Sequence, residues 1–301
     1  LWSLMRLCEP TLLGAWKSFN DRFAKPIQNG DAERRADLGR LIRPFLLRRT
    51  KSQVAQDLPE CELIQVPIQL DSRERELYEG IRAHAVSHLL GNAEHALGQE
   101  RKRFEVLGAL TRLRLATCHP ALVGGERNAP SAKLNRLSEM CEELASVGRS
   151  ALVFSQFTSF LALVRSAMEE AKLTYLYLDG STPGAERAKR VERFQAGAAP
   201  FFLISLKAGG VGLNLTRADT VIHLDPWWNP AVEQQATDRA HRIGQKKHVT
   251  VFRFFARDTV EEKVMRLQEH KRELVSSLLE GHAPGSTPDF EQLLELLGGQ
   301  T

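Results

Sequence analysis

After Ser131, short apolar runs alternate with longer amphipathic segments, and this alternation constrains the fold more than any other feature of the sequence. It is typical of a parallel β-sheet whose strands are joined by helices that cover its faces. We therefore predict an α/β fold with a parallel sheet and helices on both faces. The predicted strands are 151–154, 174–178, 201–205, 220–224 and 249–255, and the predicted helices are 158–171, 183–196, 230–243 and 258–280.

The residues before Ser131 follow a different pattern, in which helical segments are separated by turn signals. Residues 63–70 alternate apolar and polar side chains, which predicts a strand. Pro67 places this strand at a sheet edge, because proline lacks the N–H group that a central strand needs. Residues 72–118 are predicted to be helical. A basic stretch is typical either of a solvated face or of a hinge that meets phosphate, and it consists of Arg34, Arg35, Arg40, Arg43, Arg48, Arg49 and Lys51.

The composition excludes a wholly disordered chain and sets weak limits on the partners. Of the 301 residues 43% are hydrophobic, and the net charge of +4 suits an anionic partner without requiring one. No apolar run approaches the roughly 18 residues that a membrane-spanning helix needs. The four cysteines form no CxxC pair, which favours a reducing compartment. The first residue is not methionine, so we expect the chain to be a piece of a longer protein.

The carboxyl ends of the predicted strands carry small, hydroxyl and amide side chains. Ligands of open parallel sheets bind beyond these ends, so their residues are candidates for a binding site. Glycines at 209, 210 and 212 let backbone N–H groups approach a phosphate, although three glycines are more often a simple tight turn. Trp227 and Trp228 follow the fourth of these strands, where either packing or contact with a nucleic acid would explain them.

The predicted helix over 230–243 is the most informative element. Asn229 suits its N-cap and Pro230 suits its first turn, because asparagine caps free N–H groups and proline has none to leave unpaired. Gly244 suits its end. We therefore expect the helix to begin at Pro230 and to stop just before Gly244.

Gln235, Arg239 and Arg242 have the spacing of one face of this helix. Two guanidinium groups on one face repel each other unless an anion or a carboxylate lies between them. The spacing leaves two interpretations open. One is a surface ion pair between Asp238 and Arg242. The other is a pair of arginine fingers that reach a nucleotide triphosphate held by another domain.

Several chemistries lack their motifs in this sequence. It contains neither GxxxxGK[ST] nor an Asp-Glu pair at the end of a strand. It therefore has no phosphate-binding loop lysine and no Walker B magnesium ligand of its own. HExxH and GxSxG are also absent, so we predict no metal-ligating residues and no serine nucleophile.

The order of the remaining motifs resembles the C-terminal half of the SWI/SNF-type ATPases, the double-stranded DNA translocases of helicase superfamily two. The strings that carry the resemblance are LVFSQF (152–157), YLDGST (177–182), LISLKAGGVGLNLTRADTVIHLDPWWNP (203–230) and QQATDRAHRIGQ (234–245). Residues 43–59 resemble the segment that joins the two lobes of these ATPases. LWSL, at the start, resembles the stretch just after the last motif of their first lobe.

The resemblance implies a RecA-like second lobe that completes a nucleotide site in the cleft with the first lobe. It implies that Arg239 and Arg242 are arginine fingers and that Gln235, Gly210 and Gly212 contact the nucleotide. It implies that ATP and magnesium are shared with the first lobe, and that this chain alone binds neither. The positions implied to line the path of double-stranded DNA are Ser155, Gln156, Gly180, Ser181, Lys207, Ala208, Gly209, Trp227, Trp228 and Asn229.

The resemblance also implies a division into four parts. Residues 1–60 form a helical segment and inter-lobe linker, 61–131 an edge strand and helical protrusion, 132–282 the RecA-like lobe, and 283–301 a C-terminal tail. The implied partners are double-stranded DNA and the first lobe of the same protein, with no membrane. The expected location is the cytoplasm, associated with the nucleoid, in a bacterium, or the nucleus in a eukaryote.

The motifs of the first lobe are absent, so we expect the chain alone to be inactive as an ATP hydrolase. Two alternatives stay open. In the first alternative, the chain is a non-enzymatic module that binds DNA or a partner protein. In the second, it is the lobe of a helicase that acts on single-stranded nucleic acid. The chromatin role of eukaryotic relatives does not follow from the motifs alone.

Overall fold

The computed structural model describes residues 1–45, 51, 55, 57–91, 99–126, 129–208 and 212–279. The described part of Leu1–Val54, with the helix segment that begins at Arg266, forms one compact unit, and the described part of Ala55–Met265 forms another. Among the described residues, no helix combines the length and hydropathy required to cross a membrane.

The first unit is helical. Its elements are α1 (Trp2–Cys8), α2 (Trp16–Phe19), a π-helical turn (Asn20–Ala24), α3 (Lys25–Gln28), α4 (Ala32–Ile42) and a 3-10 turn (Arg43–Phe45). Asp31 caps α4, since its side chain accepts a hydrogen bond from the Arg34 N–H at 3.0 Å. The apolar side chains of these elements, with Leu13 from the connection between α1 and α2, form a small buried core of Met5, Leu13, Phe19, Phe23, Leu38 and Ile42.

The second unit is built on a parallel sheet, and this confirms the predicted α/β fold. Its strands are β1 (Cys61–Ile68), β2 (Ala151–Ser155), β3 (Tyr175–Leu178), β4 (Phe201–Ser205), β5 (Thr220–His223) and β6 (Val249–Ala256). The strand order is β1-β6-β5-β2-β4-β3, and every pair is parallel. The edge position predicted from Pro67 is confirmed, although β1 begins two residues before the predicted strand.

The helices of this unit are α5 (Ser72–Gly91), α6 (Gln99–Cys118), α7 (Ala132–Ser146), α8 (Thr158–Glu170), α9 (Gly184–Gln195), α10 (Pro230–Thr237) and the start of α11 (Val260–Leu279), which passes into the first unit at Arg266. Successive side chains of a strand point to opposite faces of the sheet. Val153 of β2 accordingly packs in one core with residues of α7 and α8. Leu152 and Phe154 pack in the other core, with residues of α9 and α10. Helices therefore cover both faces, as predicted.

A buried ion pair holds the start of α7 against the start of α11. The Lys133 ammonium lies 2.7 and 2.8 Å from the two carboxylate oxygens of Glu261, and both side chains are fully buried. Glu261 also accepts hydrogen bonds from the Ala256 N–H at 2.8 Å and the Thr117 hydroxyl at 2.9 Å. Burial, the largest single influence, opposes the charged form of Lys133, but the charge and hydrogen bonds of Glu261 together with the charges of Cys118 and Asp225 outweigh it, so the pKa of Lys133 is raised.

The ion pair predicts a large loss of stability when one partner is neutralised. Glu261→Gln leaves the Lys133 ammonium buried without a countercharge, which lowers the free energy of unfolding by about 3 to 5 kcal/mol. The matched control is Glu139→Gln, which removes an exposed 3.3 Å pair with Arg136 on α7. Its expected cost is below about 1 kcal/mol. Urea unfolding measures both, and equal losses would contradict the prediction.

His223, the last residue of β5, is buried against α10. The His223 ring stacks on Phe154 with 5.5 Å between centroids, and its Nε2 lies 3.1 Å from the Thr237 hydroxyl. Its Nδ1 is buried without a hydrogen-bond partner among the described residues. Burial lowers the pKa of His223 to about 4, so the ring is neutral at pH 7.

His223 therefore predicts sensitivity to acid. The folded-state pKa of His223 is about 4 and its ordinary value is 6.5, so the unfolded chain takes up this proton first as the pH falls. The contribution to stability is fully present above pH 6.5, and roughly 2 to 3 kcal/mol of it is lost as the pH falls towards 4. Urea unfolding at neutral pH and at about pH 4.5 measures the loss. Over the same fall in pH, the free energy of unfolding of His223→Gln should decrease less than that of the wild type, by this amount. An equal decrease in both proteins would refute the assignment of the acid sensitivity to His223.

Candidate functional site

The parallel sheet brings the turns that follow β2, β3, β4 and β5 to one edge. All four strands run in the same direction, so their carboxyl ends lie side by side. The residues predicted to bind nucleotide or DNA lie in these turns, at the last residue of β2 (Ser155), in α10 (Gln235) and in the segment after α10. Gly209 and Gly210, of the turn after β4, lie outside the described residues.

The prediction that Gln235, Arg239 and Arg242 share one helical face is wrong, because α10 ends at Thr237. In a longer helix the Arg239 carbonyl would accept from the N–H of residue 243. It accepts instead from the Leu215 N–H at 2.9 Å, and the chain continues in turns. Gly244, with φ of +102°, lies in one of these turns and does not end the helix.

The two arginines of this segment have different surroundings. Arg239 is only 8% exposed, and its guanidinium lies over the Phe154 ring at 5.8 Å from the centroid. Its Nη1 is buried and has no hydrogen-bond partner among the described residues. Burial, and then the charge of Arg187, lower the pKa of Arg239 to about 10, so it is a desolvated cation at neutral pH. Arg242 is exposed, as is Gln235.

Arg187 of α9 braces the turn after β4. Its Nη1 donates to the Ala208 carbonyl at 2.8 Å, while its Nε is buried without a partner among the described residues. Ala208 is buried, whereas Lys207 beside it is exposed. Gly212 is exposed and has φ of +36°, in the left-handed region that favours glycine. Lys207 is therefore an exposed cation directly after β4.

The turn after β3 is organised by Asp179. Its Oδ1 accepts hydrogen bonds from both the N–H and the hydroxyl of Ser181, at 3.0 and 2.6 Å. These hydrogen bonds, with those from Tyr177 and Thr182, lower the pKa of Asp179. Gly180 and Ser181 are both exposed, but the donors of Ser181 are already engaged.

The turn after β2 is tied to the turn after β5 through Asp225. This carboxylate is fully buried, and it accepts hydrogen bonds from the Ser155 hydroxyl and, at 3.1 Å, from the Gln156 N–H. Burial raises the pKa of Asp225 even though these donors and nearby cations lower it. Ser155 is itself fully buried. A direct contact between Ser155 and DNA, as predicted, does not fit this burial, and Ser155 instead orders the turn.

The two tryptophans are both half-buried. Trp227 packs against the core that contains Phe154, and its backbone N–H donates to the Glu233 carboxylate of α10 at 2.7 Å. The Trp228 ring centroid lies 5.2 Å from the Arg114 guanidinium. Asn229 is exposed, and its side chain accepts from the Ala231 N–H at 3.0 Å, which confirms the predicted N-cap.

Arg114, which sequence reasoning missed, joins these turns to α6. It is 2% exposed, donates to the Gln156 side-chain oxygen at 3.0 Å, and donates to the Pro226 carbonyl. These partners lie 42 and 112 residues further along the chain. Asp225 and Arg187 were missed for the same reason, since no local pattern identifies contacts over such separations.

Comparison with known proteins gives matches along most of the chain. The SNF2-related domain matches residues 1–122, and the Helicase conserved C-terminal domain matches residues 132–244. An uncharacterized ATP-dependent helicase of Mycoplasma pneumoniae is 38% identical, over 93% of this chain and 26% of its own length. The human SWI/SNF-related matrix-associated actin-dependent regulator of chromatin subfamily A member 1 is 34% identical, over 93% of this chain and 28% of its own length.

Solved structures support the same relationship. The Sulfolobus solfataricus SWI2/SNF2 ATPase core in complex with dsDNA has a TM-score of 0.65 and 32% identity, over 100% of this chain and 64% of that chain. The C-terminal domain of the same ATPase has a TM-score of 0.63 and 26% identity, over 80% of this chain and 100% of that one. The chain spans about a third or less of the length of the curated relatives it matches. Together with the six-stranded parallel sheet, these matches confirm the resemblance, and the chain belongs to the SNF2 family of helicase superfamily two, corresponding to the C-terminal part of its ATPase core.

Proposed function

We propose that this chain is the second lobe of an ATP-dependent translocase on double-stranded DNA. The observation that carries the proposal is Arg239, a desolvated cation with an unsatisfied N–H donor at the carboxyl edge of a parallel sheet. Such a donor suits a phosphate oxygen. Relatives named as ATP-dependent helicases, and a related core solved in complex with dsDNA, support the two ligands.

In this proposal ATP is the substrate and lies against the first lobe of the same protein. Arg239 and Arg242 neutralise the charge that develops on the transferred phosphoryl group, while Gln235, Gly210 and Gly212 contact the nucleotide. Magnesium, when bound with ATP, supplies further positive charge to the phosphates. The described residues contain no group of three or more His, Cys, Asp or Glu side chains that could hold a metal ion. We expect the chain alone not to hydrolyse ATP, because its sequence contains neither GxxxxGK[ST] nor an Asp-Glu pair at the end of a strand.

Duplex DNA would lie along the turns after β2, β3, β4 and β5. Lys207 supplies an exposed charge there, Gln156 a side-chain amide, and Asn229 an exposed polar side chain. Phosphate contacts of this kind position a protein on DNA without reading its sequence. Residues 1–60 would join this lobe to the first one, and the helices within 61–131 would form its protrusion.

The arginines predict a separation of hydrolysis from DNA binding. In the protein that carries both lobes, Arg242→Gln should lower DNA-stimulated ATP turnover by about 10³-fold or more, because it removes a charge that stabilises the transition state. Arg239→Lys should also lower turnover, because lysine has no planar fork of donors. Duplex affinity should be unchanged in both. The control is Arg193→Gln, an exposed arginine of α9, and turnover that falls equally in this control would exclude the finger assignment.

Lys207 predicts a salt-dependent contact with DNA. Lys207→Gln should weaken the binding of duplex DNA several-fold and reduce the slope of log affinity against log salt by about 1, because one phosphate contact is lost. Fluorescence anisotropy with a labelled duplex measures both quantities. The control is Lys172→Gln, which removes an exposed charge from the turn before β3, at the opposite edge of the sheet. Equal effects of the two substitutions would contradict the proposed DNA path.

A further inference from the structure

Arg187 of α9 is bonded to the turn that carries Lys207, an exposed cation of the proposed DNA path. We infer that Arg187 is a positioning residue, which fixes the backbone beside Lys207 so that the lysine side chain extends from the turn towards the DNA phosphates. The inference rests on the proposed function, because Lys207 belongs to the same DNA path. It assigns to Arg187 a role that requires no contact of its own with nucleotide or DNA.

Three hydrogen bonds hold the backbone around Lys207. The Leu206 N–H donates to the Ser155 carbonyl at 2.9 Å, which extends the pairing of β4 with β2. The Ala208 N–H donates to the carbonyl of the last residue of β4 at 3.0 Å, so Lys207 lies at the third position of a tight turn. The Ala208 carbonyl accepts from Arg187 Nη1 at 2.8 Å. The first two bonds belong to the sheet and to the turn itself, whereas the third ties the turn to a separate element, α9.

The position of the Ala208 carbonyl explains why the third bond controls the turn. Ala208 is 2% exposed, and a buried backbone carbonyl without a donor costs free energy. Without Arg187 this carbonyl would have to rotate to reach water or another donor. Such a rotation changes the backbone angles of Ala208 and, through the turn, the direction of the Lys207 side chain. Arg187 therefore acts on the lysine across one residue.

The need to satisfy a carbonyl does not by itself explain a charged side chain at this position. Arg187 is half-buried and forms no ion pair among the described residues, and its neighbour Glu186 pairs instead with Arg190 at 2.9 Å. A second cation also lies nearby, since burial, and then the charge of Arg187, lower the pKa of Arg239 to about 10. A neutral donor would satisfy the carbonyl without this repulsion.

A positioning role accounts for the arginine. A hydrogen bond from a charged donor is roughly twice as strong as one between neutral groups, and the planar guanidinium loses less freedom when it forms the bond. Within the described part of the chain, the Ala208 carbonyl is the hydrogen-bond partner of this guanidinium, and Arg187 Nε is buried without one. The side chain is therefore committed to the turn, and the stronger bond holds the backbone beside Lys207 more firmly than a neutral donor would.

The test is a double-mutant cycle on duplex affinity, measured by fluorescence anisotropy with the whole chain over a range of salt concentrations. Arg187→Met should weaken duplex binding about threefold to fivefold and reduce the salt slope by up to about 1, because the phosphate contact of Lys207 is weakened. Arg187→Lys, which keeps a donor for the carbonyl, should weaken binding by less than about twofold. In a Lys207→Gln background, Arg187→Met should change the affinity by less than about twofold, because the residue through which it acts is gone.

Two further measurements separate positioning from a general loss of charge or of stability. Arg193→Met, which removes an exposed charge from the same helix, should leave duplex affinity within about twofold of the wild type. The melting temperature lost with Arg187→Met should be the same with Lys207 present or replaced, since the structural part of the effect does not depend on the lysine. If Arg187→Met does not fold, Arg187→Gln takes its place in the cycle with the same expected pattern.

The outcomes distinguish this inference from the proposed function. If the wild-type chain binds no duplex, or Lys207→Gln leaves binding unchanged, the proposed DNA path fails and the inference fails with it. If Lys207→Gln weakens binding but Arg187→Met does not, the positioning role alone is overturned. The same conclusion follows if Arg187→Met weakens binding equally in the wild type and in the Lys207→Gln background.

Discussion

The parallel pairing of β2 with β4 on one side and β5 on the other is the constraint on which the site depends. Because the three strands run in one direction, the turns that follow them meet at one edge. The hydrogen bonds from Ser155 and Gln156 to Asp225 then bind two of these turns together beneath the surface. Antiparallel pairing of any one strand would move its turn to the far edge and dismantle the site.

Three of the four buried cations in the described part of the second unit show how the fold treats charge. Lys133 is fully buried and is neutralised by Glu261. Arg114 is satisfied in part by two carbonyl oxygens and two aromatic rings. Arg239 lies over one ring and has a buried nitrogen without an acceptor among the described residues. The pKa of Arg239 is shifted only by burial and by another cation, Arg187, and a buried cation without an anion is costly for folding, so an anionic ligand would contribute most there.

The sequence predicted the parts of this structure that depend on local pattern. Strand and helix periodicity identified the parallel sheet and the helices on both faces, and Pro67 identified the edge position of β1. The order of the motifs identified the family. The true end of α10 was missed because it depends on a hydrogen bond between Leu215 and Arg239, which no periodicity reveals. The burial of Ser155 was missed because its partner, Asp225, lies 70 residues further along the chain.

The central claim is that this lobe helps to hydrolyse ATP in response to duplex DNA. It is tested most directly by the rate of ATP turnover of the protein that carries both lobes, measured with duplex and with single-stranded DNA of the same sequence. The proposed function predicts turnover that duplex stimulates more strongly than the single strand, and no turnover by this chain alone. Turnover that prefers the single strand would assign the lobe to an unwinding helicase. No turnover with either DNA would assign it to a binding module, and either result would contradict the claim.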